Sequence, residues 1–265
     1  MTTPPAASGT RALSPAPPGS DDFAGSIKYP RRRVIRRVLQ VLAGAALGIL
    51  TDFHVVGMEH FPKTGPLLVV ANHFSFIDPV AVIRIAPWAM EFVGGFTRPN
   101  APGIVAGIPA LWGFYPVFRG TGARDALRAA EVVLGRGGTL GIFPEGTSAA
   151  SVLRSPRLGA SLLAATTGAQ ILPIGLDGLV DVFPKLRRGQ RSRVTVRVGE
   201  PFGPFTAPGR GRERRVALRA VGDEIMSRLA ALLPPERRGL YSDDPALREA
   251  ARALDDFPWD ASPEV

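Results

Sequence analysis

An α/β fold, with a central, largely parallel or mixed sheet flanked by helices, is what this sequence predicts, and three observations predict it. From residue 55 to about 204, apolar runs of three to six residues alternate with segments of helical periodicity, the pattern of strands joined by crossover helices. The runs are short and almost unbroken by polar residues, as strands buried on both faces are. A chain of 265 residues is also long enough to bury one substantial core, and one domain is expected.

Taken in order, residues 1–26 are mostly proline, alanine, serine, glycine and threonine, a composition that buries too little apolar surface to offset chain entropy. They are expected to be disordered. Arg31, Arg32, Arg33, Arg36 and Arg37 follow, and then an apolar stretch over 38–50 broken only by Gln40 and small residues. That segment, within 27–54, reads as a helix with a basic beginning. Its 13 residues fall short of the roughly 20 that a spanning helix needs, so it is expected to lie in a membrane interface. Packing on the protein's own core is the competing reading. A cleaved signal peptide is disfavoured, because some 30 residues precede the segment and no small-residue cleavage site follows it. Strands are expected at 67–71, 91–93, 115–118, 139–143, 170–175 and 193–198. Helices are expected at 123–134, with Leu127, Ala130 and Leu134 on one face, and at 158–165. The clearest helix spans 213–233, with Val216, Ala220, Ile225, Leu229 and Leu232 at helical spacing and Pro234 and Pro235 closing it. The remainder, 236–265, turns acidic from Asp243 onward and reads as a loosely packed tail.

The composition narrows the chemistry. There is no cysteine, which excludes disulfides, thiol nucleophiles and thiolate metal sites. The formal charge is +9, carried by arginine, since lysine occurs only at Lys28, Lys63 and Lys185. Such a surface attracts phosphate on lipid or nucleic acid; an arginine-rich genome would give the same composition. No repeat period is present.

Four segments carry the candidate chemistry. Asn72-His73-Phe74-Ser75-Phe76-Ile77-Asp78-Pro79 follows the strand at 67–71, and strand ends are where α/β folds expose reactive groups. A turn between His73 and Asp78 can bring the carboxylate onto one imidazole nitrogen, which leaves the other as a base. The same Asp-Pro step also suits an ordinary helix start. Phe143-Pro144-Glu145-Gly146-Thr147-Ser148 follows another strand, with a glycine that permits an anion-facing turn. Gly113 to Arg119 ends in a guanidinium able to grip a phosphate through two bonds. Ile171-Leu172-Pro173-Ile174 places a proline within a strand, a sign of an edge or a bulge.

In this order and spacing, the four segments resemble the 1-acylglycerol-3-phosphate acyltransferase family and its glycerolipid acyltransferase relatives. The family's asparagine-histidine-four residues-aspartate block matches at Asn72, His73 and Asp78, and its glycine-to-arginine block at Gly113 and Arg119. Its phenylalanine-proline-glutamate-glycine-threonine block matches Phe143 to Thr147, its late proline matches Pro173, and Val56-Gly57-Met58-Glu59 is similar to its first strand. The likeness covers about 55–204, inside an acyltransferase domain placed at 55–235. One departure stands out, because Ser148 occupies the place where the family usually has arginine; Arg154 or Arg157 is positioned to supply that charge, and Arg157-Leu158-Gly159 looks like the family's lysine-any-glycine step.

The resemblance implies transfer of a fatty acyl group from acyl-CoA or acyl carrier protein, as co-substrate and without a further cofactor, to the hydroxyl of a lysophospholipid such as 1-acylglycerol-3-phosphate. It implies His73 as general base and Asp78 as its orienting partner. Asn72, Arg119, Glu145, Gly146, Thr147 and Arg157 would form the substrate wall, with Glu145 holding an arginine or accepting a hydrogen bond from the glycerol. A membrane surface is the implied partner, with peripheral or monotopic association at the cytoplasmic face. A serine hydrolase is disfavoured by the lack of a Gly-x-Ser-x-Gly elbow, and nucleotide binding by the lack of a glycine-rich phosphate loop. A basic nucleic-acid-binding protein would explain the charge and none of the blocks, so no nucleic-acid partner is expected. His54, His60 and His73 have no metal-ligand spacing, so no metal is expected either.

Overall fold

The computed structural model describes residues 27, 32–95, 111–117, 122–148 and 150–255. The expected disordered tail, Arg31, Arg119 and the last acidic residues from 256 lie outside them.

Seven strands form one mixed sheet: β1 (Thr51–Val56), β2 (Leu67–Ala71), β3 (Glu91–Gly95), β4 (Tyr115–Val117), β5 (Thr139–Ile142), β6 (Gln170–Asp177) and β7 (Ser192–Val198). Their spatial order is β1-β7-β6-β2-β5-β3-β4, and every pair is parallel except β6 with β7. The helices are α1 (Arg33–Leu50), α2 (Asp78–Ile85), α3 (Gly122–Gly135), α4 (Leu158–Thr167), α5 (Val182–Leu186), α6 (Gly211–Ala231) and α7 (Pro245–Arg252).

All five residues of β2 are buried because both faces of the sheet are covered. Leu68 and Val70 join one core with α3, α4 and α6; Leu67, Val69 and Ala71 join the other with α1, α2 and α5. This two-sided burial explains the unbroken apolar runs. It also puts β2 at the centre, between β5 and β6, where the chain reverses its direction of travel across the sheet. Such a switch point opens a crevice beyond the strand ends.

Several expectations need correction. β1 ends at Val56, where the resemblance begins the first strand, and the boundary placed between 54 and 55 cuts through it. Its Asp52, His54 and Val56 face solvent while Phe53 and Val55 point inward, a six-residue alternation that directly follows a helix and is easily lost beside it. Pro173 does not mark an edge. It lies in the interior strand β6, at the point where β7 ends and the Gly199 amide bonds to the Pro173 carbonyl at 2.9 Å. The buried stripe of α6 is Leu218, Val221, Ile225, Met226 and Leu229, so Val216 and Ala220 point outward instead of into the core.

The segment after α6 is not a loose tail. Two 3-10 turns, at Pro235–Arg237 and Gly239–Tyr241, and α7, whose Asp244 caps the Ala246 amide, pack it against the body of the molecule, with Ala251 buried. Its acidic composition concealed this, because the docking is largely through backbone groups and arginines.

Helix α1 packs on the protein's own core, the competing reading offered for it, and leaves its outer face uncovered. Its inner edge is fastened to the body: Arg36, only 2% exposed, makes a two-pronged ion pair with Glu91 at 2.8 and 2.7 Å and donates to the Trp112 carbonyl. Gln40, the polar break in the apolar stretch, donates to the carbonyls of Ile83 and Ala86 and so satisfies the end of α2. Its outer face leaves Val34, Ile35, Val38, Val41, Leu42 and Ile49 exposed. Among the described residues, no helix is long and apolar enough to cross a membrane.

Candidate active site

The site lies where β2 and β5 end side by side. Parallel pairing sets Val70 opposite Ile142, so the loops that begin at Asn72 and Phe143 leave the sheet together. His73 is the first side chain of the β2 loop to reach the surface. Its Nδ1 lies 3.1 Å from Oδ2 of Asp78, and its side chain is 18% exposed against 1% for Asp78. A carboxylate oxygen accepts, so Nδ1 carries the proton in this pair and the lone pair of the neutral imidazole sits on Nε2. The ring stacks on Phe143, with centroids 4.3 Å apart, which fixes its tilt.

Asp78 is the first residue of α2, but its carboxylate bonds back into the preceding loop. Instead Oδ2 accepts both from His73 and from the Ser75 amide, the latter at 2.7 Å. The ordinary helix-start reading is therefore insufficient, since the carboxylate is turned back toward the imidazole. Burial pushes the Asp78 pKa upward, and the hydrogen bond from His73 opposes that rise.

Two residues expected in the substrate wall do other work. Asn72 is fully buried and spends both ends of its amide on Leu176: Nδ2 donates to the carbonyl at 2.8 Å, and Oδ1 accepts the amide at 2.7 Å. It ties the β2 loop to β6. Glu145 is also fully buried; Oε1 accepts the His73 amide at 2.9 Å, and Oε2 lies 3.9 Å from Nε of Arg154. That places it beside an arginine, at ion-pair rather than hydrogen-bond distance. Burial raises its pKa to about 8, against the pull of the His73 amide and the Arg154 charge.

The rest of the block does face outward. Gly146 is exposed, with φ +73°, a conformation that a side chain would strain, and its amide bonds back to Phe143. Thr147 is half-buried and its carbonyl accepts from Arg154. Of the two arginines positioned to replace the one missing at Ser148, Arg154 is buried at 2% exposure, while Arg157 is exposed beside the Gly146 turn, its amide bonded to the Pro144 carbonyl. Sequence reasoning missed the roles of Phe143 and the Ser75 amide, because a stacking partner and a backbone donor leave no residue-type signature. Among the described residues no group of three or more His, Asp or Glu side chains is arranged to hold a metal.

Comparison with known proteins finds acyltransferases. The family model described as Acyltransferase matches residues 52–177. Over 175 residues the chain is 27% identical to a chloroplastic 1-acyl-sn-glycerol-3-phosphate acyltransferase of Arabidopsis thaliana, covering 63% of this chain and 48% of that protein. It is 26% identical over 223 residues to the mouse 1-acyl-sn-glycerol-3-phosphate acyltransferase alpha, covering 82% and 66% respectively. The chain thus spans about half the length of the chloroplast proteins it matches. Among solved structures, the 1-acyl-sn-glycerophosphate acyltransferase of Thermotoga maritima superposes with a TM-score of 0.52 over 93% of this chain and 89% of that one, at 22% identity, a likeness of fold.

Proposed function

Because residues 52–177 match the Acyltransferase family model and the chain is similar to 1-acyl-sn-glycerol-3-phosphate acyltransferases, we propose that it moves a fatty acyl group from a thioester to the free hydroxyl of 1-acylglycerol-3-phosphate, giving phosphatidic acid. The observation that carries this reading is the His73–Asp78 pair at 3.1 Å, with the imidazole partly exposed at the strand ends and the carboxylate buried behind it.

The chemistry needs little more. Nε2 of His73 takes the proton of the acceptor hydroxyl as its oxygen attacks the thioester carbonyl. Asp78, buried and fixed by the Ser75 amide, stabilises the imidazolium that forms. The tetrahedral intermediate then collapses, the carbon–sulfur bond breaks, and the thiolate leaves to take up the proton. No enzyme-bound acyl group is required, because a thioester is already an activated donor. Acyl-CoA and acyl carrier protein both supply that bond. Arg157, beside the Gly146 turn, supports the reading of a phosphate-bearing acceptor.

The exposed apolar face of α1, flanked by exposed Arg33 and Arg37, supports placement on an anionic bilayer surface, from which a lysophospholipid would enter the crevice. Ser148, in place of the usual family arginine, favours a second reading in which another lysolipid is the acceptor. Incubating the protein with labelled acyl-CoA and a panel of lysolipids, with products identified by mass, separates the two. Phosphatidic acid as the main product, with Arg157→Ala raising KM for 1-acylglycerol-3-phosphate about tenfold, is expected. A product from a headgroup-substituted lysolipid alone favours the second reading, and free fatty acid formed without acceptor contradicts both.

A further inference from the structure

The loop between the Gly146 turn and α4 is held down by the C-terminal segment at every second residue. The Ser151 carbonyl accepts from Arg237 at 3.1 Å. Leu153, with none of its surface exposed, donates its amide to the Arg237 carbonyl at 3.0 Å and accepts the Leu240 amide at 3.1 Å. Ser155 donates its amide and its hydroxyl to the two carboxylate oxygens of Asp255, at 2.8 and 2.6 Å. Gly239, at φ +52°, permits the approach, because a Cβ there would come within 2.1 Å of the Leu153 carbonyl oxygen. Arg237 anchors the segment in turn to the end of β6, 3.5 Å from Asp177 and 3.8 Å from Asp181.

Between the pinned residues, Arg154 turns into the protein. It is 2% exposed, its Nη2 donates to the Thr147 carbonyl at 3.1 Å, and its Nε lies 3.9 Å from Glu145. Glu145 accepts the amide of His73 at 2.9 Å. A guanidinium taken out of water is costly unless it is paired, so an apolar side chain would fill this volume more cheaply if filling were the only need.

We infer that Arg154 is a positioning residue for acyl transfer and that the segment from Pro235 to Asp255 is the strap that holds it against Glu145, fixing the backbone from which His73 reaches the acceptor. This rests on the reading of His73 as the base. Arg154 touches no reacting atom; it acts through Glu145.

The test uses the full chain, acyl-CoA and 1-acylglycerol-3-phosphate, with Arg154→Met, Arg154→Lys, Asp255→Asn and Ser155→Ala as variants and circular dichroism to confirm folding. Arg154→Met is expected to lower kcat at least tenfold while both KM values stay within about twofold, and Arg154→Lys to restore a large part of that loss, since a polar cationic head again faces the Glu145 carboxyl group and the Thr147 carbonyl. Asp255→Asn and Ser155→Ala, which loosen the strap while leaving Glu145 beside Arg154, are expected to lower kcat severalfold in the same kcat-only manner. Folded Arg154→Met at near-normal kcat, or rises in KM equal to the falls in kcat, would overturn the proposal. If Arg154→Met does not fold, full kcat in both strap variants overturns it. Full activity in His73→Ala would instead remove the base assignment on which the strap depends, so the two failures are distinct.

Discussion

The reactive pair depends on what each side chain is denied. Asp78 is denied solvent, so Oδ2 is committed to the His73 imidazole and the Ser75 amide. Asp78→Asn keeps the shape but removes the charge that stabilises the imidazolium. Steady-state assays are expected to show kcat lower by about 10²- to 10⁴-fold with little change in KM. Glu145 sets a pH dependence of stability. Its pKa stands at about 8 in the fold, above its ordinary value of 4.5, so between those values the folded chain holds a proton that the unfolded chain has lost. Stability is therefore fully present below about 4.5 and declines as pH rises through about 8, with a slope of at most about 1.4 kcal/mol per pH unit from this group. Urea titrations from pH 5 to 9 are expected to show that decline in the wild type and a flatter curve in Glu145→Gln; parallel curves would contradict it.

Among the elements, the pairing of β2 with β5 brings His73 and Glu145 together, and the sequence showed this only indirectly. Both blocks were legible as strand ends, but nothing in the chain announces that strands 72 residues apart in sequence are neighbours. The substrate wall was only half legible for a related reason. Asn72 and Glu145 carry the right groups for binding, and only their burial, a property of the assembled sheet, assigns them to holding the loops. Helix α1 is the element with the sharpest energetic signature. Arg36 and Glu91 are both buried, so replacing one strips the other of its two-pronged partner. Arg36→Met is expected to destabilise the protein by about 3–5 kcal/mol, on the order of 10 °C in Tm, and the double variant Arg36→Met with Glu91→Leu to recover most of it. A single variant with an unchanged Tm would show that α1 is not fastened through this pair.

In the whole molecule, α1 joins an apolar exterior to one face of the sheet whose central strands carry the site. Deleting the first 50 residues is a poor test of bilayer binding, because it also removes Arg36 and Leu47 from the interior. Val38→Glu with Leu42→Glu alters only the outer face. Sedimentation with vesicles containing anionic lipid is expected to fall sharply in that double variant while Tm stays near wild type, and wild-type binding is expected to weaken with salt because part of the attraction is ionic. Undiminished sedimentation would remove α1 as the bilayer contact. The sandwich of helices about a mixed sheet was legible from the alternation of short apolar runs and helical segments. The docking of the C-terminal segment was not, since the backbone bonds of Leu153 and the carboxylate of Asp255 have no counterpart in hydrophobic periodicity.

The most direct measurement is the rate of acyl transfer to 1-acylglycerol-3-phosphate by His73→Ala, with folding verified by circular dichroism and Tm. If His73 takes the proton from the acceptor, the rate falls by at least about a hundredfold and KM for acyl-CoA barely moves. A folded variant that still transfers the acyl group at near wild-type rate would show that the proton goes elsewhere.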